Sequence, residues 1–269
     1  MREMKVLTDL NRPCAFVPTM GALHAGHQSL ISKAREVCDD VVVSVFINPL
    51  QFEDKEDLEK YPRTPERDLE LAREAGATIL WRPEYETIYP HDTTRLDSGE
   101  LGSKFEGRHR PGHFDGVLTV VHRLFDLVKP RYAIFGEKDF QQLFLITHMA
   151  AQLHPEVEII AAPTIRETSG LAMSSRNVRL SPEARTAADV ISKVLRNAAA
   201  QDSLDSAQHQ LNQINDAPLF SLDYAEIIDE ETFEIATDET TKRRAIIAGW
   251  IDGVRLIDNM AMKSALVRA

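Results

Sequence analysis

The run Pro-Thr-Met-Gly-Ala-Leu-His-Ala-Gly-His at residues 18–27 decides which fold and which chemistry we expect of this chain. A short apolar stretch, residues 14–17, precedes the run and predicts a buried strand. Apolar residues follow at helical spacing, with Leu30, Ile31 and Ala34 on one face. Two histidines three positions apart therefore stand where a strand passes into a helix. Because a helix N-terminus carries a partial positive charge and unpaired N–H groups, this position predicts a phosphate-binding site.

The two histidines, His24 and His27, have other conceivable roles in helix capping, packing or metal ligation. A zinc site would need further cysteine, histidine or carboxylate ligands, and none stands nearby at a familiar spacing. Gly21 and Gly26 let the backbone approach a ligand closely because they have no Cβ. The full ten-residue run therefore favours a phosphate-binding loop, and with it an enzyme that uses ATP.

Length, charge and cysteine content narrow the class of protein. The chain has 269 residues, more than one compact core usually needs, so we expect two domains. A net charge of −11 argues against nucleic acid as a partner, because phosphate backbones attract clustered lysine and arginine. Cys14 and Cys38 lie in apolar patterns and are predicted to be buried thiols. Without a membrane-length apolar run or a signal-peptide core, we expect a cytoplasmic protein with no membrane partner.

Strand and helix patterns alternate through the first part of the chain. Strands are predicted at residues 41–47, 78–81, 132–135 and 158–161, and helices at 65–75, 117–128 and 140–153. Residues 48–64 and 82–116 are predicted to be mostly loop. Repeated alternation of this kind implies a parallel sheet with right-handed crossovers, which is an α/β fold.

The pattern changes after about residue 165. Two helices are predicted from Pro182 to about residue 201 and over 204–214, followed by strands at 222–228, 244–250 and 254–259. This order is typical of a smaller α+β domain. We therefore divide the chain into residues 1–165 and 166–269.

Two further segments carry groups that suit a nucleotide. The run Gly-Glu-Lys-Asp at 136–139 follows a predicted strand, and open α/β sheets bind ligands outside the carboxyl ends of their strands. Lys138 suits a phosphate, and Asp139 suits a ribose hydroxyl or a metal ion. The run Ser-Ser-Arg at 174–176 offers two hydroxyls and a guanidinium, which suit a triphosphate. Each segment alone is also typical of a capped helix start or a serine-rich turn.

Amide side chains in other loops suit a hydroxylated acid, because amides both donate and accept hydrogen bonds. Asn48 and Gln51 follow one predicted strand, Gln142 follows the lysine segment, and Arg110 is a candidate partner for a carboxylate or phosphate. Exposed polar residues without a role are the alternative for each. The sequence has no P-loop, no G-x-G-x-x-G fingerprint and no G-x-S-x-G elbow, which argues against P-loop ATPases, classical dehydrogenases and α/β-hydrolases.

Taken in order, these motifs resemble those of the pantothenate synthetase (pantoate–β-alanine ligase) family along almost the whole chain. The stretches that carry the resemblance are VPTMGALHAGH at 17–27, SVFINPLQF at 44–52, YPR at 61–63, RPGHF at 110–114, FGEKDFQQ at 135–142, GLAMSSRN at 170–177 and RLIDN at 255–259. His-x-Gly-His alone is shared by many nucleotidyltransferases, whereas the ordered set is specific.

The resemblance implies a Rossmann-like parallel-sheet domain of the HxGH nucleotidyltransferase type with a smaller C-terminal lid domain. It further implies that residues 1–165 bind ATP and pantoate and form a homodimer. The implied reaction has two steps: pantoate attacks the α-phosphate of ATP to give pantoyl adenylate and pyrophosphate, and β-alanine then displaces AMP to give pantothenate. Mg²⁺ is expected on the phosphates.

The resemblance also assigns individual residues. His24, His27, Lys138 and Arg176 are the implied catalytic groups, with His27 as the proton donor. The implied ATP contacts are Met20, Gly21, Ala22, Leu23, His24, Ala25, Gly26, His27, Gly136, Glu137, Lys138, Asp139, Ile165, Met173, Ser174, Ser175 and Arg176. The implied pantoate contacts are Gln51, Gln142 and Asn48, with Gln51 also near β-alanine. No protein ligand for a metal ion is implied.

Two departures and two alternatives accompany this hypothesis. Ser169 stands where the family usually has an acidic residue before the Gly-Leu-Ala stretch, so different hydrogen bonds are expected to order that loop. The segment before the first strand is short, so an N-terminal helix usual in the family is expected to be curtailed. The alternatives are a nucleotidyltransferase that transfers AMP or CMP to a phosphorylated acceptor, and a nucleotide-binding regulatory module that has lost turnover.

Overall fold

The computed structural model of the chain describes residues 1–8, 10–53 and 55–263. Its contacts divide the chain into two compact units. The first comprises Met1–Glu137 and Gln141–Ile165. The second comprises Lys138–Phe140 and the described part of Arg166–Ala269.

Parallel strands form the sheet of the first unit. They are β1 (Arg2–Met4), β2 (Ala15–Thr19), β3 (Val41–Val45), β4 (Ile79–Trp81), β5 (Tyr132–Gly136) and β6 (Glu158–Ala162). Their spatial order is β1-β4-β3-β2-β5-β6, and every neighbouring pair is parallel. The predicted parallel sheet is thus confirmed. The order of connection reverses between β2 and β5, so the carboxyl ends of these two strands flank a topological switch point, where α/β proteins bind ligands.

Helices connect these strands. They are α1 (Ala25–Val37), α2 (Lys55–Glu59), α3 (Pro65–Glu74), α4 (Tyr85–Ile88), α5 (Glu106–His109), α6 (His113–Val128) and α7 (Phe140–Leu153). α1 buries Ile31 and Ala34, the residues that repeat at helical spacing in the sequence, in a core shared with Val17, Val43 and Ile134. This packing fixes the start of α1 at the end of β2.

Some boundaries differ from those that the sequence predicts. The loop predicted over 48–64 contains α2, and the loop predicted over 82–116 contains α4 and α5. α6 begins at His113 rather than at 117, because its first turn is buried although it is polar in sequence. β1 was not predicted, because a three-residue edge strand with two exposed positions has no apolar alternation.

The second unit is built on an antiparallel sheet in the order β7 (Phe220–Asp229), β8 (Arg243–Ile251) and β9 (Val254–Ala261). Its helices are α8 (Pro182–Ala199) and α9 (Leu204–Asn212), which Ser181 and Ser203 cap at their N-termini. Leu195, Leu211 and Ile247 belong to the apolar core of this unit, all fully buried. The predicted α+β arrangement is confirmed, with each strand a residue or more longer than the sequence indicates.

Among the described residues, no helix has both the length and the apolar character needed to cross a bilayer.

Candidate active site

The histidine run forms a tight loop between β2 and α1. Gly21 and Ala22 both have positive φ, +85° and +51°. A Cβ on Gly21 would lie 2.9 Å from a carboxylate oxygen of Asp68, so the turn requires glycine for both its conformation and its space. The loop ends at His24, the N-cap of α1, and the helix therefore begins between the two histidines.

Hydrogen bonds fix the tautomer of both imidazoles. Nδ1 of His24 accepts from the Gly26 N–H at 3.1 Å, and Nδ1 of His27 accepts from the His24 N–H at 3.3 Å, which together form a capping box. A neutral imidazole that accepts at Nδ1 carries its proton on Nε2. The two rings lie 4.1 Å apart between centroids. Each of the two imidazoles therefore carries its N–H donor on Nε2.

Asp68, in the first turn of α3, holds this loop from the other side. Its carboxylate accepts from the Leu23 N–H at 2.8 Å, from the Ala22 N–H at 3.2 Å and from the Thr64 hydroxyl at 2.9 Å. The residue is 2% exposed, so these hydrogen bonds form in a region of low dielectric and are strong. The sequence indicates only an acid at a helix start, a common position, and sequence reasoning therefore missed this residue.

The backbone N–H groups of the loop are mostly engaged within the protein. Those of Gly21, Ala22, Leu23, His24 and Gly26 donate to protein side chains. These backbone N–H groups already have partners, so they do not supply the phosphate-binding donors that we expected at the start of this helix. The Nε2–H groups of His24 and His27 are the side-chain donors of this loop.

A second cluster lies after β3, in the short 3₁₀ helix Pro49–Gln51. Asn48 is 1% exposed, and both polar atoms of its side-chain amide are hydrogen-bonded. Its Oδ1 accepts from the Leu50 N–H and from the Tyr89 hydroxyl. Its Nδ2 donates to Gln51 Oε1 and to the Gly116 carbonyl. Asn48 therefore acts as a support for this turn. Gln51 is also buried, and its Nε2 lies 3.2 Å from the Met20 sulfur.

The start of α6 supports Gln51 as well. Nδ1 of His113 lies 2.9 Å from the Gln51 carbonyl oxygen, and Nε2 lies 2.9 Å from Nη1 of Arg110. Because a guanidinium can only donate, Nε2 accepts and Nδ1 carries the proton, which it donates to Gln51. Gly116 lets α6 pack closely against this turn, since a Cβ at that position would lie 2.3 Å from the Leu50 carbonyl oxygen. Met20, Asn48, Gln51 and Arg110 are thus linked by contacts within the first unit.

The two glutamines at the start of α7 have different surroundings. Gln141 is buried and bonds to the backbone of residues 101–106, accepting from the Glu106 N–H and donating to the carbonyls of Leu101 and Lys104. Gln142, the predicted pantoate contact, is half-buried. Gln141 therefore orders the loop at residues 101–106, and Gln142 is the glutamine better placed to contact a ligand.

In the second unit, a network anchors the backbone of Lys138. The Lys138 carbonyl accepts from Nδ2 of Asn259 at 2.8 Å, and Oδ1 of Asn259 accepts from Arg244 at 2.6 Å. Arg244 also lies over the ring of Phe140, 3.9 Å from its centroid. The Lys138 ammonium, 19% exposed, lies 3.7 Å from the Asp139 carboxylate. The RLIDN stretch at 255–259 thus positions the proposed phosphate-binding lysine.

The serine loop is ordered by a carboxylate at an unexpected position. Ser174 caps the 3₁₀ helix Ser175–Arg179 by accepting from the Arg176 N–H, and buried Asn177 donates to Glu167 at 3.0 Å. Glu167 also pairs with Arg185. Ser169 accepts weakly from the Leu171 N–H at 3.4 Å. Glu167 therefore supplies a carboxylate two positions before the serine that replaces the usual acid.

The remaining predicted ATP contacts fall into the two units separately. Ala25, Gly136, Glu137 and Ile165 belong to the first unit, with Gly136 closing β5. Met173, Ser174, Ser175 and Arg176 belong to the second unit, as do Lys138 and Asp139. Asp68, Tyr89 and Glu167 are supporting residues that the sequence did not single out. The loop N–H groups that Asp68 holds and the Asn48 side chain that Tyr89 contacts lie more than 40 residues away along the chain.

The fold and the loop geometry define the class of protein first: an α/β enzyme with a His-x-Gly-His loop at the switch point of a parallel sheet. Residues 1–261 match the family described as Pantoate-beta-alanine ligase. The chain belongs to the pantoate–β-alanine ligase family.

Individual relatives agree with this assignment. A pantothenate synthetase of Acidothermus cellulolyticus is 46% identical over 266 residues, which cover 95% of this chain and 88% of that protein. The crystal structure of the Thermus thermophilus enzyme superposes with a TM-score of 0.91 at 43% identity, covering 97% of this chain and 99% of that one. A pantoate-beta-alanine ligase from Francisella tularensis, complexed with beta-gamma ATP and beta-alanine, superposes at 0.78 with 37% identity, covering 92% and 89%.

Proposed function

We propose that this chain joins pantoate to β-alanine at the expense of ATP, through a pantoyl-adenylate intermediate. The single observation that carries the proposal is the pair of Nε2–H donors, on His24 and His27, in a chain that matches the ligase family over residues 1–261. A different nucleotidyltransferase explains the histidine loop but not the supported Gln51 turn. A module that has lost turnover predicts damage at a catalytic position, whereas all the proposed groups are present: His24, His27, Lys138, Ser174, Ser175 and Arg176.

In the first step, a carboxylate oxygen of pantoate attacks the α-phosphorus of ATP, and the bond to the β-phosphate bridging oxygen breaks. Pyrophosphate leaves with the electron pair. His27 donates a hydrogen bond from Nε2–H to the phosphate oxygens as negative charge shifts onto them, and His24 lies beside it. Lys138 and Arg176 stabilise the same charge, and Ser174 and Ser175 donate hydrogen bonds to the phosphates.

The second step transfers the acyl group. The amine of β-alanine attacks the acyl carbon of pantoyl adenylate, the bond to the AMP oxygen breaks, and the nitrogen loses a proton. Adenylation has made the acyl oxygen a good leaving group, and holding both reactants in one site removes much of the entropic barrier. Gln51 binds pantoate and lies near β-alanine. Gln142 contacts pantoate, and Asn48 assists by holding the Gln51 amide.

We also propose that further residues contact ATP. They are Met20, Gly21, Ala22, Leu23, Ala25, Gly26, Gly136, Glu137, Asp139, Ile165 and Met173.

Mg²⁺ accompanies ATP in this proposal. Magnesium in nucleotide sites is bound by substrate phosphates and one or two carboxylates, and the half-exposed Asp139 carboxylate beside Lys138 fits this donor set. When bound, the ion neutralises charge on the departing pyrophosphate.

We further propose a homodimer formed through residues 1–165 and a cytoplasmic location. The binding partners that we propose are small-molecule substrates, not nucleic acid, because the chain is acidic. Sedimentation equilibrium should give twice the mass of the chain, whereas a single-chain mass at micromolar concentration would contradict the dimer.

A product assay tests the function directly. Incubation with ATP, Mg²⁺, pantoate and β-alanine should give equal amounts of AMP, pyrophosphate and pantothenate, and omission of pantoate should abolish all three. Formation of ADP instead of AMP, or transfer of AMP to a phosphorylated acceptor in preference to pantoate, would overturn the proposal.

His27→Ala tests the role of the His27 Nε2–H group as a hydrogen-bond donor to the phosphates. We expect the single-turnover rate of adenylate formation to fall by roughly 10²- to 10³-fold, because a donor to the developing charge is lost. Loss of half of the capping box should cost only about 1 kcal/mol of folding free energy. His148→Ala, at an exposed position on α7, is the matched control and should keep the wild-type rate. Near-normal adenylate formation by the folded His27→Ala protein would remove this role.

A further inference from the structure

A second histidine pair lies in the first unit, away from the histidine loop in sequence. His122 on α6 and His154 just after α7 contact each other, with His122 Nδ1 and His154 Nε2 2.8 Å apart. Asp126 stands one turn after His122, and its carboxylate lies 3.6 Å from His122 Nε2. Each of the three residues offers a ligand atom within 4.8 Å of the other two. The reaction proposed above uses none of them.

We propose that His122, Asp126 and His154 form a binding site for a divalent transition-metal ion such as Zn²⁺, Co²⁺ or Ni²⁺. Imidazole and carboxylate together suit these ions, whereas Mg²⁺ prefers an all-oxygen shell. The site would therefore be selective against the ion that accompanies ATP.

The spacing of the two rings is close to what an ion requires. Zinc lies about 2.0–2.1 Å from histidine nitrogen, so two nitrogens on one tetrahedral ion are roughly 3.4 Å apart. The histidine nitrogens need to separate by only about 0.6 Å from their present contact to admit the ion. Residues 122 and 126 are four apart on one helix, the spacing that places two side chains on the same face.

The surroundings of the pair favour ligation. His154 is 4% exposed, and the edge-to-face ring of Phe125 lies against it, which restricts its orientation. On its far side, His154 Nδ1 lies 3.7 Å from the Glu156 carboxylate. If the Glu156 carboxylate moves in to accept the Nδ1 proton of His154, Nε2 is left to bind metal, as second-shell carboxylates arrange in zinc proteins.

The solvent-facing side of the histidine pair, where Asp126 lies, would let an ion enter. Asp126 faces Nε2 of His122, the ring nitrogen opposite the one that contacts His154, so its carboxylate must turn to reach the ion. Its side chain is 41% exposed and can make this movement, and water can complete the coordination. Arg123 competes, because its Nη1 lies 3.2 Å from the same carboxylate. The Arg123 Nε also donates to the Ile88 carbonyl at 3.0 Å, so the arginine keeps one partner when the aspartate turns.

A bound ion would join the C-terminal parts of α6 and α7. Because the ion would bind the folded form, saturating Zn²⁺ should raise the melting temperature. This metal binding would be a property of the first unit alone, independent of ATP.

The test is titration of the chelator-treated, nucleotide-free protein with ZnCl₂ by calorimetry and with CoCl₂ by visible absorption. We expect one ion per chain and an intense tetrahedral Co²⁺ spectrum. His122→Asn and Asp126→Asn, both at solvent-accessible positions, should weaken binding at least tenfold, and Glu156→Gln by roughly tenfold through the second shell. Arg123→Gln should tighten binding, because it removes the competing guanidinium.

Two controls separate this site from others. His91→Asn, at an exposed loop position, and the double variant His24→Asn/His27→Asn should keep the one-ion stoichiometry and affinity. Absence of stoichiometric binding, or binding that survives His122→Asn but is lost with His24→Asn/His27→Asn, would overturn the proposal. His154→Asn is omitted because its burial links it to folding.

Discussion

At the scale of single residues, the position of the histidine loop depends on Asp68. Its carboxylate holds two consecutive backbone N–H groups of a turn in which Gly21 and Ala22 have positive φ. Such a turn is costly for a non-glycine residue and persists only when its surroundings fix it. Asp68 thereby sets where α1 begins and where both imidazoles lie, so we class it as a positioning residue.

Asp68→Asn should slow adenylate formation about tenfold or more. An amide retains one acceptor oxygen but presents an NH₂ group to the second backbone N–H, and the loss of a charge-assisted hydrogen bond costs about 1.5–3 kcal/mol. Single-turnover rates and thermal unfolding should be measured together. Glu70→Gln, at an exposed site on the same helix, is the control and should behave like the wild type. Equal rates for the two variants would show that the loop holds its shape without Asp68.

Tyr89 gives a prediction about pH. Burial, with a smaller effect of Tyr85, raises the pKa of the Tyr89 hydroxyl above its ordinary value of 10.0. In the unfolded chain this hydroxyl ionises near pH 10, whereas in the folded protein it stays protonated and donates to Asn48 at 2.7 Å. The unfolded state then binds fewer protons, so the free energy of unfolding falls as pH rises above about 10, by up to about 1.4 kcal/mol per unit.

Tyr89→Phe removes this contribution. The variant should be less stable at neutral pH by about 1 kcal/mol, since the hydrogen bond to Asn48 is lost. Its unfolding free energy should fall less steeply than that of the wild type above about pH 10. Urea unfolding of both proteins across this range makes the comparison. Parallel curves would mean that the Tyr89 hydroxyl ionises alike in the folded and unfolded chains.

At the scale of elements, α6 and the Pro49–Gln51 turn fit together because residue 116 is glycine. A Cβ there would meet the Leu50 carbonyl oxygen at 2.3 Å and the Gln51 nitrogen at 2.7 Å, so a larger residue must displace the turn. Gly116→Ala should weaken pantoate binding severalfold and lower stability by about 1–3 kcal/mol.

The control for that variant is Val120→Ala, one turn further along α6. It leaves a cavity in the core and should lose comparable stability without moving Gln51. Equilibrium binding of pantoate distinguishes the two variants. If both bind pantoate equally well, the turn adapts to the added methyl group and Gly116 has no role in the site.

The sequence predicted the elements whose pattern is strong. The β-branched run at 41–47 gave β3, and the periodic apolar face after the histidines gave α1. It failed where tertiary contacts override local pattern. The first turn of α6 reads as polar loop, yet His113 is buried because its two ring nitrogens bond to Arg110 and Gln51. Such partners, up to 62 residues away, leave no periodic signal.

At the scale of the whole molecule, each unit orders its own set of candidate site groups. The first unit contains the histidine loop and the Gln51 turn. In the second unit, a hydrogen bond from Asn259 fixes the backbone of Lys138, and Glu167 orders the serine loop. Motif order along the chain identified these groups, because the sequence carries their types and spacing. It could not identify Asp68, Tyr89 or Glu167 as their supports, since support depends on contacts that only folding creates.

Transfer of an oxygen atom tests the central claim, formation of an acyl adenylate. Pantoate labelled with ¹⁸O in both carboxylate oxygens is supplied with ATP, Mg²⁺ and β-alanine, and the products are analysed by mass spectrometry. Attack of the carboxylate on the α-phosphorus predicts one ¹⁸O in the phosphate of every AMP formed and one in the amide carbonyl of pantothenate. AMP that contains no ¹⁸O, formed in step with pantothenate, would contradict the account.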